Sequence, residues 1–556
     1  MGRDARRPVL QRQSAGLAQD RVLSGSPDSS GLRGGSSIRP GSLRRRAVRG
    51  RLLAGILLVL VGRGVAPGCA EASGCCTASG WLADSLSFLG ADNGTRSHVG
   101  ILAVSLDRGD TLLSLNPDAR FIPASNMKLF VSGAFLLQTR PQGRAVTEIA
   151  ASGRLQKKHG GREQELKGDL ILRASGWPDV YQLLQPGSRG LLDSLAFLLH
   201  EGGLRKFEGT LWIDGTVFAP EAYGPGWAID DLPFSYGAPL NAVLANGNSA
   251  TLNATATAKA VSLSLDPPET PLRIAARVSV AEPGAMPVLS ITREPGSHIL
   301  RVTGRIPRGG SAKRQVSVPD PDSTAGLFLL GAMRRAGIEV RARIASIPAG
   351  GTAPGPAVTL AKLESPPALD VVSMVDAYSL NAETEALLRH LDPAPVGKSA
   401  APALRRLVAY LAEAGIDTLD VSFVDGSGLS PLNLATARSF VRWLEYLDRA
   451  PALGGIFRQS LAAPGAVGTL EKRFGDLAAT AGLRAKTGTL TNVSALSGYL
   501  TTQGGEKVVF SILSNGNRGS GSAARAAEER IVGILSRFTR ERTPPQGEGP
   551  TRMVPR

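Results

Sequence analysis

Alternating apolar residues stand near both ends of this 556-residue chain, and the two groups need each other. Near the start, "HVGILAVSLDRGDTLLSL" reads as a hairpin: a strand from His98 to Ser105, a turn at "DRGD", and a strand from Thr111 to Leu115. Near the end, "LRAKTGTLTNVSALSGYLTTQGGEKVVFSILSNG" reads as three strands, near Arg484–Leu490, Ser494–Thr502 and Lys507–Ser514, with a tight turn at "QGGEK". A helix from about Ser522 to Phe538 follows, with Ile531, Ile534, Leu535 and Phe538 as its apolar stripe. A hairpin alone is marginal in water, and neither group closes a sheet by itself. The pattern predicts one five-stranded antiparallel sheet shared between the chain ends, with helices on both faces: an α/β (α+β) fold.

What lies between must leave that sheet and return to it. Residues 144–360 are rich in short β patterns such as "VSLSL", "LRIAARVSV" and "ILRVTGRI", separated by Pro/Gly turns. They predict a β-rich insertion of one or two small domains. Helical periodicity resumes at "SPPALDVVSMVDAYSLNAETEALLRHL" and again at "APALRRLVAYLAEAGI". The predicted organisation is a leader over 1–72, one domain from 73–143 and 361–540, the insertion at 144–360, and a disordered tail at 541–556.

The chain is 42% hydrophobic and 20% charged, a globular composition. Its net charge of +16 would suit a nucleic-acid partner, but twelve arginines against three aspartates before residue 52 supply +9 of it. No aromatic or RNA-binding pattern accompanies them, so no nucleic acid is expected. They precede "LLAGILLVLVG", Leu52 to Gly62, which is too short to span a bilayer and suits a signal peptide core. "AEA", Ala70 to Ala72, offers a cleavage site. The chain is therefore expected to be exported, to the periplasm or cell surface, with no transmembrane span after cleavage. The charged lead is long for a signal, which suggests translation starting near Val48.

The three cysteines, Cys69, Cys75 and Cys76, all lie beside this segment, so no disulfide and no cysteine ligand is expected in the folded body. "ASGC" faintly resembles a lipoprotein box; lipid anchoring at Cys75 ranks behind simple cleavage near Ala72. The five histidines form no metal-spaced pair, and no G-x-S-x-G elbow occurs. No metal and no cofactor is expected.

Chemistry concentrates in three short motifs. "FIPASNMKLF" sets Ser125 and Lys128 three residues apart at the start of an apolar run. A capped helix would explain that spacing as well as a nucleophile with its base. "YSLN" puts Ser379 and Asn381 at the head of a predicted helix, and "AKTGTL" puts Lys486, Thr487, Gly488 and Thr489 on a predicted strand. Ser114-Leu115-Asn116 also fits S-x-N, but it precedes the first motif and lies on the second predicted strand. The order SxxK, SxN, KTG is the set shared by penicillin-binding proteins and active-site-serine β-lactamases.

Ser379 follows Ser125 by 254 positions, far more than a compact domain of that kind needs. From about Ser97 to Phe538 the chain resembles the D-alanyl-D-alanine carboxypeptidase/endopeptidase family, the low-molecular-mass class C penicillin-binding proteins. The likeness extends to "GDLILRASGWP", "PGWAIDD", "YGAPLNAVLANGN", "DGSGLSPLN", "GTLEKRF" and "SALSGYL". Two departures are visible. Ala174–Pro178 stands where the family has a Gly-rich stretch ending in Asp-Pro, and Leu380 stands where Asn or Asp is usual. The resemblance implies that Leu380 points away from the cleft.

The resemblance implies a penicillin-binding, transpeptidase-like domain interrupted by the insertion. It implies a serine-type D-Ala-D-Ala carboxypeptidase, also a candidate endopeptidase, acting on peptidoglycan stem peptides through an acyl-enzyme and binding β-lactams. Ser125 would be the nucleophile, Lys128 its base, and Ser379 the proton relay to the leaving D-Ala. Asn381 would hold the substrate amide, Lys486 and Thr487 the terminal carboxylate, and Thr489 would lend an N–H to the oxyanion. Gly488 would let the substrate approach the strand edge. A second cation at Lys486 would help keep Lys128 neutral. The alternatives are a serine β-lactamase, which the long insertion disfavours, and a non-catalytic cell-wall binding protein, which the intact motif set disfavours. "DGSGLS", Asp425 to Ser430, frames the cleft or makes a turn.

Overall fold

The structure is a computed structural model that describes residues 97–157, 163–453, 455–475, 482–518 and 521–540. The chain divides into two units, Met1–Thr77 and Ala78–Arg556, and every described residue lies in the second. The basic leader, the run Leu52–Gly62, the three cysteines and the tail after Arg540 lie outside the described residues. Among the described residues no helix is long and apolar enough to cross a membrane.

The two chain ends meet in one sheet. Its strand order is Arg484–Leu490, Val493–Thr501, Lys507–Asn515, His98–Ser105, Thr111–Leu115, antiparallel throughout. His98 faces Asn515 and Ser105 faces Val508 across the join. The period-2 alternation decides which residue faces which layer. Ile101, Ala103, Leu496, Leu500, Phe510 and Ile512 pack against Ile531 and Leu535 of the last helix, Ser522–Ser536, and against Phe538 just beyond its end. Leu102, Val104, Ala495, Tyr499, Val509 and Leu513 face the other way, into the main helical layer. That layer holds Lys128–Thr139, Ala368–Tyr378, Asn381–Arg389, Ala400–Glu413 and Ala437–Arg449.

Its close packing is specific. A Cβ on Gly133 would sit 2.6 Å from Leu447 Cδ1 and 2.9 Å from the Trp443 ring, so only glycine lets helices Lys128–Thr139 and Ala437–Arg449 cross here. Two large buried side chains satisfy their polar atoms on the backbone: Trp443 Nε1 donates to the Leu129 carbonyl at 2.9 Å and Tyr499 OH to the Leu444 carbonyl at 2.8 Å.

The middle of the chain builds two nested pieces. The outer piece is a mixed sheet in the order Glu339–Ser346, Leu204–Asp214, Gln164–Arg173, Val146–Lys157, Val358–Glu364. Leu204–Asp214 runs parallel to both its neighbours, and such connections require crossovers. Two helices make them, Leu191–Glu201 and Pro321–Arg335, and both pack on the sheet. The β patterns of the sequence do not announce these helices, so the middle is less purely β than expected. The inner piece is a sandwich of two three-stranded sheets, Ser311–Ser317/Ser249–Ala256/Val261–Asp266 and Val288–Thr292/Ile299–Pro307/Arg273–Ala281. Leu252, Leu300, Val302 and Val316 fill its core.

Candidate active site

The turn that carries Ser125 is held by three neighbours. Pro123 leads into a 3-10 turn, Ala124–Met127, which runs directly into helix Lys128–Thr139. Neither start is capped by a side chain, so the Ser125 hydroxyl is not spent on capping. Asn126 donates to Ser497 Oγ of strand Val493–Thr501 at 2.7 Å, and Ser497 donates on to Ser511 Oγ of the central strand at 2.8 Å. Arg120–Phe121 pairs with Leu434–Thr436, which pairs with Val421–Ser422, bringing the "DGSGLS" loop beside the turn. Ala124 sits at φ 47°, a left-handed conformation that costs a non-glycine residue about 1 kcal/mol or more.

Lys128 is fully buried, and its Nζ meets three oxygens. It lies 3.1 Å from Ser125 Oγ, 2.6 Å from Asn381 Oδ1 and 2.6 Å from the Ser427 carbonyl oxygen. The last two are carbonyl oxygens and can only accept. A neutral amine therefore gives one hydrogen to each and is left with its lone pair toward the Ser125 hydroxyl. Burial pushes the Lys128 pKa down to about 8, against the opposing pull of the Asp425, Glu385, Asp376 and Glu383 carboxylates. Lys486 is a second buried amine beside it, and the repulsion between the two acts on both. At Lys486 burial first and Lys128 second lower the pKa, and Asp376 opposes them.

Ser379 ends one helix rather than heading the next, which corrects the sequence reading. It is the left-handed cap of Ala368–Tyr378, at φ 60°, and the helix restarts at Asn381 after extended Leu380. The kink turns Leu380 onto the hydrophobic core, away from the polar cluster, while Ser379 Oγ accepts from Lys486 Nζ at 2.9 Å. The "GTLEKRF" segment braces this helix end: Thr469 N–H donates to the Ala377 carbonyl at 2.9 Å. Asn381 is tied on both sides. Its Oδ1 takes Lys128, and its Nδ2 donates to the Tyr236 carbonyl of the insertion at 2.8 Å. One Nδ2 hydrogen remains to meet a carbonyl group of a substrate.

Lys486 is fully buried on strand Arg484–Leu490 and also donates to the Thr487 carbonyl at 2.8 Å. Thr487 is half-buried and Thr489 exposed. Gly488 has a reason besides the substrate approach expected of it. A Cβ there would lie 2.7 Å from the Pro123 carbonyl oxygen and 3.1 Å from the nitrogens of Ser125 and Asn126. It permits the close approach of the Ser125 turn. Direct hydrogen bonds thus join Ser125, Lys128 and Asn381 in one group and Ser379 with Lys486 in another, and the two lysines interact through their charge. The decoy Asn116 instead bonds the Val99 carbonyl across the hairpin at 3.0 Å.

Several participants carry no motif signal of their own. Ser427 contributes only its backbone carbonyl. Glu385 positions it, accepting the N–H groups of Gly426 and Ser427 at 3.0 and 2.7 Å. Asp425 shapes the same loop: it accepts from Gly428 and Ser430 N–H, from Asn433 Nδ2 at 2.6 Å and from Trp227 Nε1 of the insertion at 2.9 Å. Gly428, at φ 77°, touches the serine turn so closely that a Cβ would lie 1.9 Å from the Ala124 carbonyl oxygen. Asp376 lies fully buried, accepting from Ser132 Oγ at 2.9 Å. Burial pushes its carboxyl up to about 7, against the pull of Lys486, the Ser132 hydrogen bond and Lys128. The signal available for Asp376 and Glu385 is an acidic residue inside an otherwise buried helical pattern.

Known proteins share this architecture and sequence. The D-alanyl-D-alanine carboxypeptidase of Actinomadura sp. (strain R39) is 29% identical over 462 residues, covering 80% of this chain and 82% of that protein. The crystal structure of penicillin binding protein 4 (dacB) from Haemophilus influenzae superposes with a TM-score of 0.67 at 23% identity, covering 82% of this chain and 99% of that one. The same protein complexed with a β-lactam superposes with a TM-score of 0.62 at 22% identity, over 82% of this chain and 99% of that one. Residues 82–538 match the D-Ala-D-Ala carboxypeptidase 3 (S13) family, and the chain belongs to that family.

Proposed function

We propose that Ser125 is the nucleophile of a serine-type D-Ala-D-Ala carboxypeptidase that trims peptidoglycan stem peptides. The observation that carries this reading is the setting of Lys128: its Nζ lies between two carbonyl acceptors and Ser125 Oγ, so that as a neutral amine, donating to the two carbonyls, it keeps its lone pair for Ser125. Lys128 takes the Ser125 proton as Oγ attacks the carbonyl carbon of the penultimate D-Ala. The oxyanion is received by the N–H groups of Ser125 and Thr489. Asn381 donates its remaining N–H to a substrate carbonyl. Thr487 meets the terminal carboxylate, with Lys486 as the cation behind it. The proton that Lys128 took passes by way of Ser379 to the leaving D-Ala nitrogen, so Lys128 is neutral again, and Lys486 holds the Ser379 hydroxyl in place by its hydrogen bond. Water then releases the acyl-enzyme through Lys128.

A β-lactam presents a similar carbonyl and carboxylate, and a relative of the same fold is known with one bound. The chain is therefore expected to be acylated by penicillins. The substrate lies outside the cytoplasm, which agrees with the basic and apolar leader of the sequence and places the enzyme in the periplasm or on the cell surface. The test is digestion of purified peptidoglycan followed by mass spectrometry. Loss of terminal D-Ala, abolished in Ser125→Ala, is the expected result; cleavage of cross-linked peptides would add endopeptidase action. Unchanged stem peptides would contradict the reading.

A further inference from the structure

The inner sandwich has one outer face unlike any other in the described structure. Between residues 271 and 317 the chain carries eight Lys/Arg against two glutamates, Glu282 and Glu294. Strand Ile299–Pro307 pairs in parallel with Arg273–Ala281, and Arg273 faces Ile299, Arg301 faces Ala275, Arg277 faces Thr303, and Arg305 faces Ser279. Leu300, Val302 and Ile306 point into the core, so these odd-numbered positions share the outer face. The cation therefore changes strand at each step and recurs about every 6.7 Å, a stripe about 20 Å long.

All four arginines are exposed, and among the described residues none is paired with a carboxylate. Elsewhere exposed arginines do find partners, as Arg335 does with Asp193 and Glu269. Ser290, Thr292 and Thr303 are exposed around the stripe, and the face has no aromatic residue and no acid. The outer face of the partner sheet is different: Asn253, Thr255, Ser262 and Ser264 surround a single lysine, Lys313, and Asp266 stands at its edge.

We propose that this arginine face docks the peptidoglycan polymer, its guanidinium groups pairing with free carboxylates of successive stem peptides. The proposal rests on the peptidase reading for the identity of the polymer. Guanidinium forks match carboxylates two bonds at a time, and the hydroxyls between them suit amides and sugars. One exposed pair is weak, but several on one strand of polymer act together. An anionic membrane is the less fitting partner, because the face offers no aromatic anchor to enter it.

The face is also fixed to the active site. Arg293, buried under the sandwich, donates to the Leu232 carbonyl at 3.0 Å and to Ser317 Oγ at 2.7 Å, and Ser317 N–H donates to the Pro233 carbonyl at 3.0 Å. This segment carries Tyr236, whose carbonyl holds Asn381. Polymer held on the arginines is thereby held relative to Ser125.

The experiment is co-sedimentation of the mature protein with insoluble peptidoglycan, alongside the variant R273Q/R277Q/R301Q/R305Q. Binding is expected to fall about 30-fold in the variant, a few-fold for each exposed pair. Penicillin labelling and D-Ala release from a soluble peptide should stay unchanged. With the unmodified protein, amidating the peptidoglycan carboxylates or adding about 0.5 M salt should weaken pelleting likewise. Undiminished pelleting of the variant, or undiminished binding to amidated peptidoglycan, would overturn the proposal. So would equal affinity for phosphatidylglycerol vesicles. Absence of labelling and of D-Ala release in the unmodified protein would instead overturn the peptidase reading, with the pelleting result standing by itself.

Discussion

The sheet shared by the chain ends is covered on both faces, whereas each sheet of the inner sandwich buries one face and leaves the other in water. Polar groups are handled accordingly. Around Ser125, Lys128, Lys486, Asp376, Asn381 and Glu385 are all withdrawn from solvent. In the sandwich the arginines stay hydrated, and Arg293 is the buried exception. Burying a charge is costly unless partners meet it, so a buried cluster of two lysines and several carboxylates marks a place where stability is subordinate to chemistry. Hydrated charge carries no such cost and speaks only about what meets the surface.

The sharpest break in this comparison comes from Lys128→Ala. Acylation should fall about 10²–10⁴-fold through loss of the general base, with the fold retained. Stopped-flow acylation and circular dichroism measure the two separately. Near-normal acylation in a folded variant would remove Lys128 from the mechanism.

Leu300→Ala probes the other region. Leu300 is fully buried in the sandwich core, and truncation should cost about 2–5 kcal/mol locally. Denaturant unfolding should show the loss, while penicillin acylation stays within about twofold if the two regions are as separable as their cores suggest. A large drop in acylation would show that the sandwich supports the site through Tyr236.

Trp227→Phe removes one donor from the buried Asp425 carboxylate, a loss of about 1–3 kcal/mol. Thermal unfolding should register it, with a smaller change in acylation, since the Ser427 loop keeps its bonds to Glu385.

The smallest expected effect is a shift in pH dependence. Acylation needs neutral Lys128, so its rate should rise with pH and level off above about 8. Asp376→Asn removes a negative charge that favours the protonated lysine, so the midpoint should move down. Glu383, Glu385, Asp425 and Lys486 also act on this amine or its neighbours, and they remain in the variant. A uniform loss of rate with no displacement would leave Asp376 a packing role. The same depression has a stability consequence. An unfolded lysine takes up its proton near pH ~10.4, before the native one does, so Lys128 should weaken the fold as pH falls from about 10 to 8.

Much of this was legible in the sequence, for identifiable reasons. The hairpin strands His98–Ser105 and Thr111–Leu115 have the expected bounds because their alternation ends at a turn on both sides. Of the three later strands, Arg484–Leu490 has the expected bounds and the other two, Val493–Thr501 and Lys507–Asn515, differ by a residue at one or both ends. Helices Leu191–Glu201 and Pro321–Arg335 were readable but unread. The first carries Leu191, Leu192, Leu195, Ala196 and Leu199 on one face, and the second starts with Asp320 capping the Ser323 N–H ahead of Pro321. The surrounding β alternation masks both. The Ser379 kink was not readable, since a left-handed serine between two helices has no side-chain signature. Nor were the carbonyls of Ser427 and Tyr236, because any residue supplies one. Their positions follow from the loop shapes set by Asp425, Glu385 and Gly428, which are tertiary facts.

The assignment of Ser125 is tested most directly by a fluorescent penicillin. The mature protein should be labelled covalently, and a tryptic mass map should place the label on Ser125. Ring opening leaves the nitrogen tethered, so it cannot depart as D-Ala does and hinders water; the label should persist over a time course on denaturing gels. Ser125→Ala should remain unlabelled. Undiminished labelling of Ser125→Ala would contradict the nucleophile assignment, and rapid multiple turnover of penicillin would identify a β-lactamase in its place.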